Sequence, residues 1–378
     1  VHIAALLLTL ILTPPVEPAL EDAVAAAVPV REESTGTQVN VLRQEPAGWA
    51  FGSAVRLAPA EPDAYPDGWL WLARRSESGR WRVALEGSPE FAGLSRQAPV
   101  LAAPERTAFA GLTGDRGLAG DRAEQAQAID YRTGMRLPYA VGQKWSYTGG
   151  PHQMSGGARS SIDLAGGDGK VRAARAGLAY HMCGSGNGWL RVVHDRGFAT
   201  DYYHLRGAIS ADGRKVKDGQ FLGYIGNDVS CGGSTTGAHV HFSLRRDGEY
   251  VAIDRYGIGK WSIRAGAAAY EGSAYHGSRR VGVGGALHNY GALGFREAVV
   301  DTNGGGVLNR RAGPGTRHKV VGTVKDGATV RVRCSAPGTT HTGRGGYRSN
   351  LWNRLSDGSW VSDVFLWTGT GNPVSGRC

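Results

Sequence analysis

Gly237-Ala238-His239-Val240-His241-Phe242-Ser243-Leu244 is the stretch on which the reading turns. It reads as a strand entered through glycine, and side chains two apart on a strand share a face, about 6.6 Å apart along it. That spacing lets one imidazole bind a metal ion while the other borders a bound water. Alone, such a pair also arises by chance on a sheet surface.

Working outward, Leu190-Arg191-Val192-Val193-His194 and Thr200-Asp201-Tyr202-Tyr203-His204-Leu205 read as two strands around Asp195-Arg196-Gly197-Phe198, a hairpin signal. Gly149-Gly150-Pro151-His152 is a turn presenting an imidazole, and Ser160-Ser161-Ile162-Asp163 enters another strand. Zinc accepts imidazole nitrogen and carboxylate oxygen, and catalytic sites keep three protein ligands with the fourth position open. His152, Asp163 and His241 would supply two nitrogens and one oxygen.

Taken in order, Gly149-Gly150-Pro151-His152, Ser160-Ser161-Ile162-Asp163, Tyr202-Tyr203-His204-Leu205 and the opening stretch at 237–244 resemble the lysostaphin-type and β-lytic zinc endopeptidases that attack peptidoglycan. The resemblance covers roughly residues 140–270. In the β-lytic branch an insertion separates the first ligand histidine from the aspartate, as it does between His152 and Asp163 here. The resemblance implies a Zn2+ cofactor held by His152, Asp163 and His241, with His204 and His239 as non-ligand catalytic histidines. Tyr270 falls where that branch places a transition-state hydroxyl, although Arg264 to Ala269 departs from its pattern. His194 reads as a hairpin residue, and His276, His288, His318 and His341 as solvated. Asp195 and Asp201 are candidates to orient an imidazole.

The rest of the chain fits an exported, multi-unit protein. Its 378 residues suggest two or three folded units, and 59 glycines against 3 methionines favour short strands and tight turns. The formal charge of +10 attracts polyanions, including acidic wall polymers. No helix-turn-helix, zinc-finger or ribonucleoprotein pattern accompanies it, so nucleic acid is not the expected partner. Ile3 to Leu12 is an apolar run too short to span a bilayer and suited to a signal peptide, with no Lys or Arg before it. The four cysteines divide by position into Cys183 with Cys231 and Cys334 with Cys378, loops of about 45 residues worth about 4 kcal/mol each. Three pairings are possible, and disulfides agree with export.

The expected organisation is a signal peptide over 1–27, a prosegment with its linker over 28–134, the metallopeptidase domain over 135–270, a linker over 271–300 and a last domain over 301–378. The fold class expected is mainly β, an antiparallel β-sheet metallopeptidase domain preceded by a small α+β prosegment and followed by a small β-barrel. No histidine lies between His2 and His152 and no cysteine precedes Cys183. A prosegment here therefore has to enforce latency sterically or with a carboxylate. The strand-and-turn pattern of residues 301–378, with Gly313-Pro314-Gly315 and Asp357-Gly358, resembles bacterial Src-homology-3-like domains of wall hydrolases.

The expected function is thus a secreted, monomeric zinc metalloendopeptidase that cuts peptide cross-links of bacterial peptidoglycan, including bonds at glycine. A non-catalytic wall-binding or activator protein and a general exported protease for glycine-rich proteins are the competing readings.

Overall fold

The computed structural model describes residues 17–31, 33–112, 129–154, 157–184 and 188–378, and the chain is mainly β. The apolar run at 3–12 and most of the Gly/Ala-rich stretch ahead of residue 132 lie outside the described residues. Among them, no helix is long and apolar enough to cross a membrane.

The N-terminal unit is an antiparallel meander of β1 (Gly36–Glu45), β2 (Trp49–Leu57), β3 (Asp67–Arg75) and β4 (Trp81–Leu85). Its residues alternate between two apolar faces, as the period of two requires. Ala50, Ala54, Trp69, Trp71 and Ala73 pack against Leu20 and Val24 of the helix α1 (Pro18–Ala27). Residues 18–27, assigned above to the signal peptide, therefore include a helix that completes this unit. On the other face, Phe51, Val55, Leu70 and Leu72 join Phe91 of α2 (Pro89–Ser95) and Phe109 of α3 (Ala103–Phe109). That second face meets the next unit.

The central sheet is built from β5 (Lys144–His152), β6 (Ser161–Ala165), β7 (Gly177–His181), β8 (Leu190–Val193), β9 (Phe198–Tyr203), β10 (Asp212–Val216) and β11 (Val240–Arg246). Its order is β10-β7-β8-β9-β11-β6-β5, with the strand Ala286–His288 closing the β5 edge. The hairpin expected between β8 and β9 is present, with Val193 opposite Ala199 and both Arg196 and Gly197 at positive φ. His194 serves it structurally: its two ring nitrogens bond the Ala176 carbonyl and Thr200 Oγ1, each at 2.9 Å.

One face of this sheet, including Leu190, Val192, Phe198, Tyr202, Val240, Phe242 and Leu244, forms the main core. The opposite face, including Leu178, Tyr180, Val193, Ala199 and Tyr203, is covered by Phe51, Leu70, Leu72 and Phe109 of the N-terminal unit. His241 stands opposite Tyr203 in register, so the metal-ligand face and the covered face are the same one. Close approach depends on glycine: a Cβ on Gly232 would sit 2.0 Å from the Ala58 carbonyl oxygen, and one on Gly68 would strike Trp189. Both disulfides join the cysteines paired by position, Cys183–Cys231 and Cys334–Cys378.

Residues 271–300 are not a linker. They form Gly272–His276 and Arg279–Gly282, which extend a second sheet from Trp261–Ala265, then Ala286–His288 on the central sheet and Glu297–Val300 in the last unit. The glycines that suggested a tether make turns instead, as Gly277 does at φ +61. His276 is likewise not solvated: it is buried, with its ring stacked on Tyr290 at 3.9 Å. The C-terminal strands form a seven-stranded half-barrel around Ala298, Val300, Val332, Leu355, Val361 and Leu366. Trp352 is buried there and donates its indole N–H to the Thr339 carbonyl.

Candidate metal centre

Asp163 and His241 are a cross-strand pair of β6 and β11, and His152 ends β5 opposite Ser161. Three adjacent strands thus bring three donors to one point. Gly149 is required because its Cβ would lie 2.5 Å from Asp163 Oδ2, and Gly150 because its Cβ would strike the backbone of Tyr270 and Glu271. The Gly-Gly-Pro-His turn is therefore a clearance for the carboxylate as well as a mount for the imidazole.

The donor atoms form a nearly equilateral triangle. His152 Nε2 lies 3.1 Å from His241 Nδ1 and 3.4 Å from Asp163 Oδ1, and His241 Nδ1 lies 3.2 Å from that oxygen. A tetrahedral zinc ion with bonds near 2.05 Å sets its ligand atoms roughly 3.3 Å apart. The triangle therefore fits one face of a zinc tetrahedron. Asp163 Oδ1 is buried with no hydrogen-bond partner, as expected of an atom whose partner is a metal. His152 Nδ1 is bonded to the Gly150 carbonyl at 2.7 Å, which fixes the tautomer and leaves Nε2 with its lone pair. Burial, and then the imidazoles of His152 and His239, push His241 down to about 4 against the pull of Asp163. Burial opposes ionisation of Asp163, but the His152 and His241 imidazoles outweigh it and hold the carboxyl well below its usual range. A carboxylate and neutral imidazoles are the protonation states a metal needs.

Two more imidazoles border the triangle. His239 donates Nδ1–H to the Gly237 carbonyl at 2.7 Å, and its Nε2 lies 3.6 Å from Asp163 Oδ1. His204 follows β9 at φ +65 and donates Nδ1–H to the Asp228 carbonyl at 2.8 Å; its ring is 4.7 Å from that of His239. Burial, then the His241 and His239 rings, push His204 down to about 3. In the neutral ring, each of these Nδ1–H bonds selects the tautomer whose Nε2 is free of its own hydrogen. Such rings can accept a proton before they can donate one.

Tyr270, also at positive φ, stacks on His152 with ring centroids 4.0 Å apart. Its loop is pinned by Arg159, whose guanidinium donates to the carbonyls of Gly266, Ala267 and Ala268. The Tyr270 hydroxyl meets that of Tyr65, from the β2–β3 loop of the N-terminal unit, and burial followed by the neighbouring Asp63 carboxylate raises its pKa. Tyr65 also covers the ligand rings, with centroids 5.7 Å from His241 and 6.0 Å from His152. The loop is anchored through Ala58 N–H to the Cys231 carbonyl and Gly233 N–H to the Pro59 carbonyl, each 3.1 Å.

The sequence reading missed Asp63, Tyr65 and Arg159, since no local pattern marks a residue that meets its partner about a hundred or more positions away. Asp195 and Asp201 do not orient an imidazole; they bind Arg175 and Arg191.

Residues 157–253, which contain Asp163, His204, His239 and His241, match the profile of peptidase family M23. These residues form an M23 peptidase domain. The chain is similar to protease LasA of Pseudomonas aeruginosa, 32% identical over 149 residues, which is 36% of this chain and 35% of LasA. It is also similar to the β-lytic metalloendopeptidase of Lysobacter enzymogenes, 27% identical over 36% of this chain and 83% of that protein. Among solved structures, the M23 metalloprotease pseudoalterin from the deep sea is 31% identical over 41% of this chain and 97% of its own, with a TM-score of 0.37. The match thus spans about a third of LasA's length. Around the M23 domain, the N-terminal unit and the half-barrel are set by their own cores.

Proposed function

We propose that this chain is a secreted zinc metalloendopeptidase that hydrolyses peptide cross-links of bacterial peptidoglycan, including bonds at glycine. The observation that carries the proposal is the triangle of His152, Asp163 and His241 with zinc-like edges, bordered by two imidazoles whose Nδ1 atoms are each bound to a backbone carbonyl. When bound, zinc would lower the pKa of a water toward about 7 and polarise the scissile carbonyl.

The chain's own residues supply the remainder. His239 Nε2 takes the proton of the attacking water and returns it to the leaving amine, while the Gly237 carbonyl holds the ring in the accepting tautomer. His204, fixed by the Asp228 carbonyl, lies beside His239 and shares that proton traffic. Tyr270 is the hydroxyl available to the developing oxyanion once Tyr65 has left it. The half-barrel is read as a bacterial Src-homology-3-like wall-binding domain that raises the local concentration of enzyme at its substrate. The charge of +10 acts in the same direction on an anionic wall.

The N-terminal unit is read as a prosegment that enforces latency sterically, with Tyr65 over the metal ligands. The unprocessed chain is expected to hydrolyse peptide at least about 100-fold more slowly than the chain processed between residues 112 and 129, and Tyr65→Ala to recover about tenfold of that loss. An unprocessed wild-type chain as active as the processed one would remove the latency reading.

The test of function is release of new amino termini from purified peptidoglycan by the processed chain. Amines are expected to appear, to vanish on chelation and to return with zinc, the new terminal residue identifying the bond. Zinc-loaded, folded protein that releases none, while it digests a glycine-rich polypeptide, would replace the wall reading with that of a general protease.

A further inference from the structure

Four charged side chains meet beneath the N-terminal sheet, and each is at most 2% exposed: Glu86, Arg191, Asp201 and Arg245. Arg191 grips Asp201 with two hydrogen bonds of 2.7 and 2.9 Å and donates Nη1–H to Glu86 Oε2 at 2.5 Å. The same Glu86 oxygen lies 3.6 Å from Arg245 Nη2. Arg245 also donates to the Gly248 carbonyl and lies 4.3 Å over the Tyr250 ring. Glu86 Oε1 and Arg245 Nε have no partner.

Only one of the four charges comes from outside the M23 domain. Glu86 directly follows β4, whereas Arg191, Asp201 and Arg245 project from β8, β9 and β11 on the face that carries His241. Glu249, from the M23 domain itself, adds a further carboxylate that interacts with both guanidiniums. Once the N-terminal unit leaves, Asp201 and Glu249 stay to balance the two arginines, but Arg191 Nη1–H loses the acceptor that Glu86 supplied and Arg245 Nε still has no partner. A guanidinium recognises a carboxylate by the hydrogen bonds that Glu86 now accepts.

We propose that Arg191 and Arg245 form a carboxylate-binding subsite of the substrate groove, which Glu86 occupies as a stand-in for a carboxylate of the peptide substrate. This rests on the peptidase reading above. Arg245 and His241 are four residues apart on one strand, about 13 Å, so the recognised carboxylate lies three to four extended residues from the scissile bond. An acidic side chain at that position and a free chain end are the two sources of that group.

The first experiment uses the full chain with Glu86→Ala, which leaves room for an acetate. Acetate in place of chloride at equal ionic strength is expected to raise its melting temperature by at least about 3 °C, with no rise in wild type or in Glu86→Ala combined with Arg245→Met. A folded Glu86→Ala chain that ignores acetate overturns the subsite. The second experiment does not depend on that variant. The processed wild-type chain is expected to cleave peptides with a glutamate, or a free C-terminus, three to four residues from the cut at least about tenfold better in kcat/KM than the matching amides. Arg245→Met is expected to abolish that ratio, and whichever peptide pair shows it names the source. A wild type without the preference, or a variant that keeps it, overturns the subsite. Acetate rescue in a chain that cleaves no peptide supports the subsite while removing the peptidase reading.

Discussion

Asp163→Ala is expected to empty the metal centre. Asp163 gives the only oxygen donor of the triangle, and its Oδ1 lies 3.2 Å from His241 Nδ1 and 3.4 Å from His152 Nε2. Without it, two imidazoles remain to hold a doubly charged ion. Zinc binding worth about 10–16 kcal/mol over four ligands loses on the order of 4 kcal/mol with one of them, about 10³-fold in affinity. The loss is compounded because the carboxylate is also the only charge in the set that opposes the ion's own. Zinc per chain, measured after dialysis against a weak chelator, is expected to fall from about one to below about a tenth, and hydrolysis to fall to background. Asp163→Asn should sit between, keeping an oxygen and losing the charge. Full zinc content in Asp163→Ala would strike Asp163 from the ligand set.

The donor set was legible in the sequence for physical reasons that can be named. A strand's period of two places Val240, Phe242 and Leu244 in the core and His241 on the other face, and cross-strand register then sets His241 against Asp163. Glycines 149 and 150 are informative for the same reason, since the close approach of Asp163 and the Tyr270 loop excludes any side chain there. What lay beyond reach were contacts between distant segments. Tyr65 reaches Tyr270 across 205 positions, and nothing in the local pattern around either residue encodes the meeting.

The same distinction explains the segments whose nature changed. Glycine-rich sequence over 271–300 suggests a tether, but alternation of apolar and polar residues between the glycines is what makes strands, and Leu287 is fully buried. Arg191 and Arg245 would be read on composition as solvent-facing charges. They are buried because a second sheet brings Glu86 to them, a pairing without which two guanidiniums could not be taken from water together.

His239→Ala is expected to leave the metal in place and remove the chemistry. The residue is not a member of the triangle, and its Nε2 stands 3.6 Å from Asp163 Oδ1, close enough to share the water's surroundings without replacing a ligand. Its Nδ1–H is committed to the Gly237 carbonyl, so the free nitrogen is the one that faces the reaction. Loss of a positioned base costs about 10² to 10⁴ in rate. Zinc content is therefore expected to stay near one per chain while kcat falls within that range, with KM changing far less because His239 acts on a proton in flight and not on the bound peptide. His239→Gln keeps a polar group of similar reach but cannot take up a proton at neutral pH, and should fall as far as the alanine variant. Rescue of His239→Ala by added imidazole, without change in metal content, would tie the lost rate to the proton itself. If zinc left with the imidazole, or if kcat held while KM rose, His239 would be a ligand or a binding residue, and His204 would inherit the role of base.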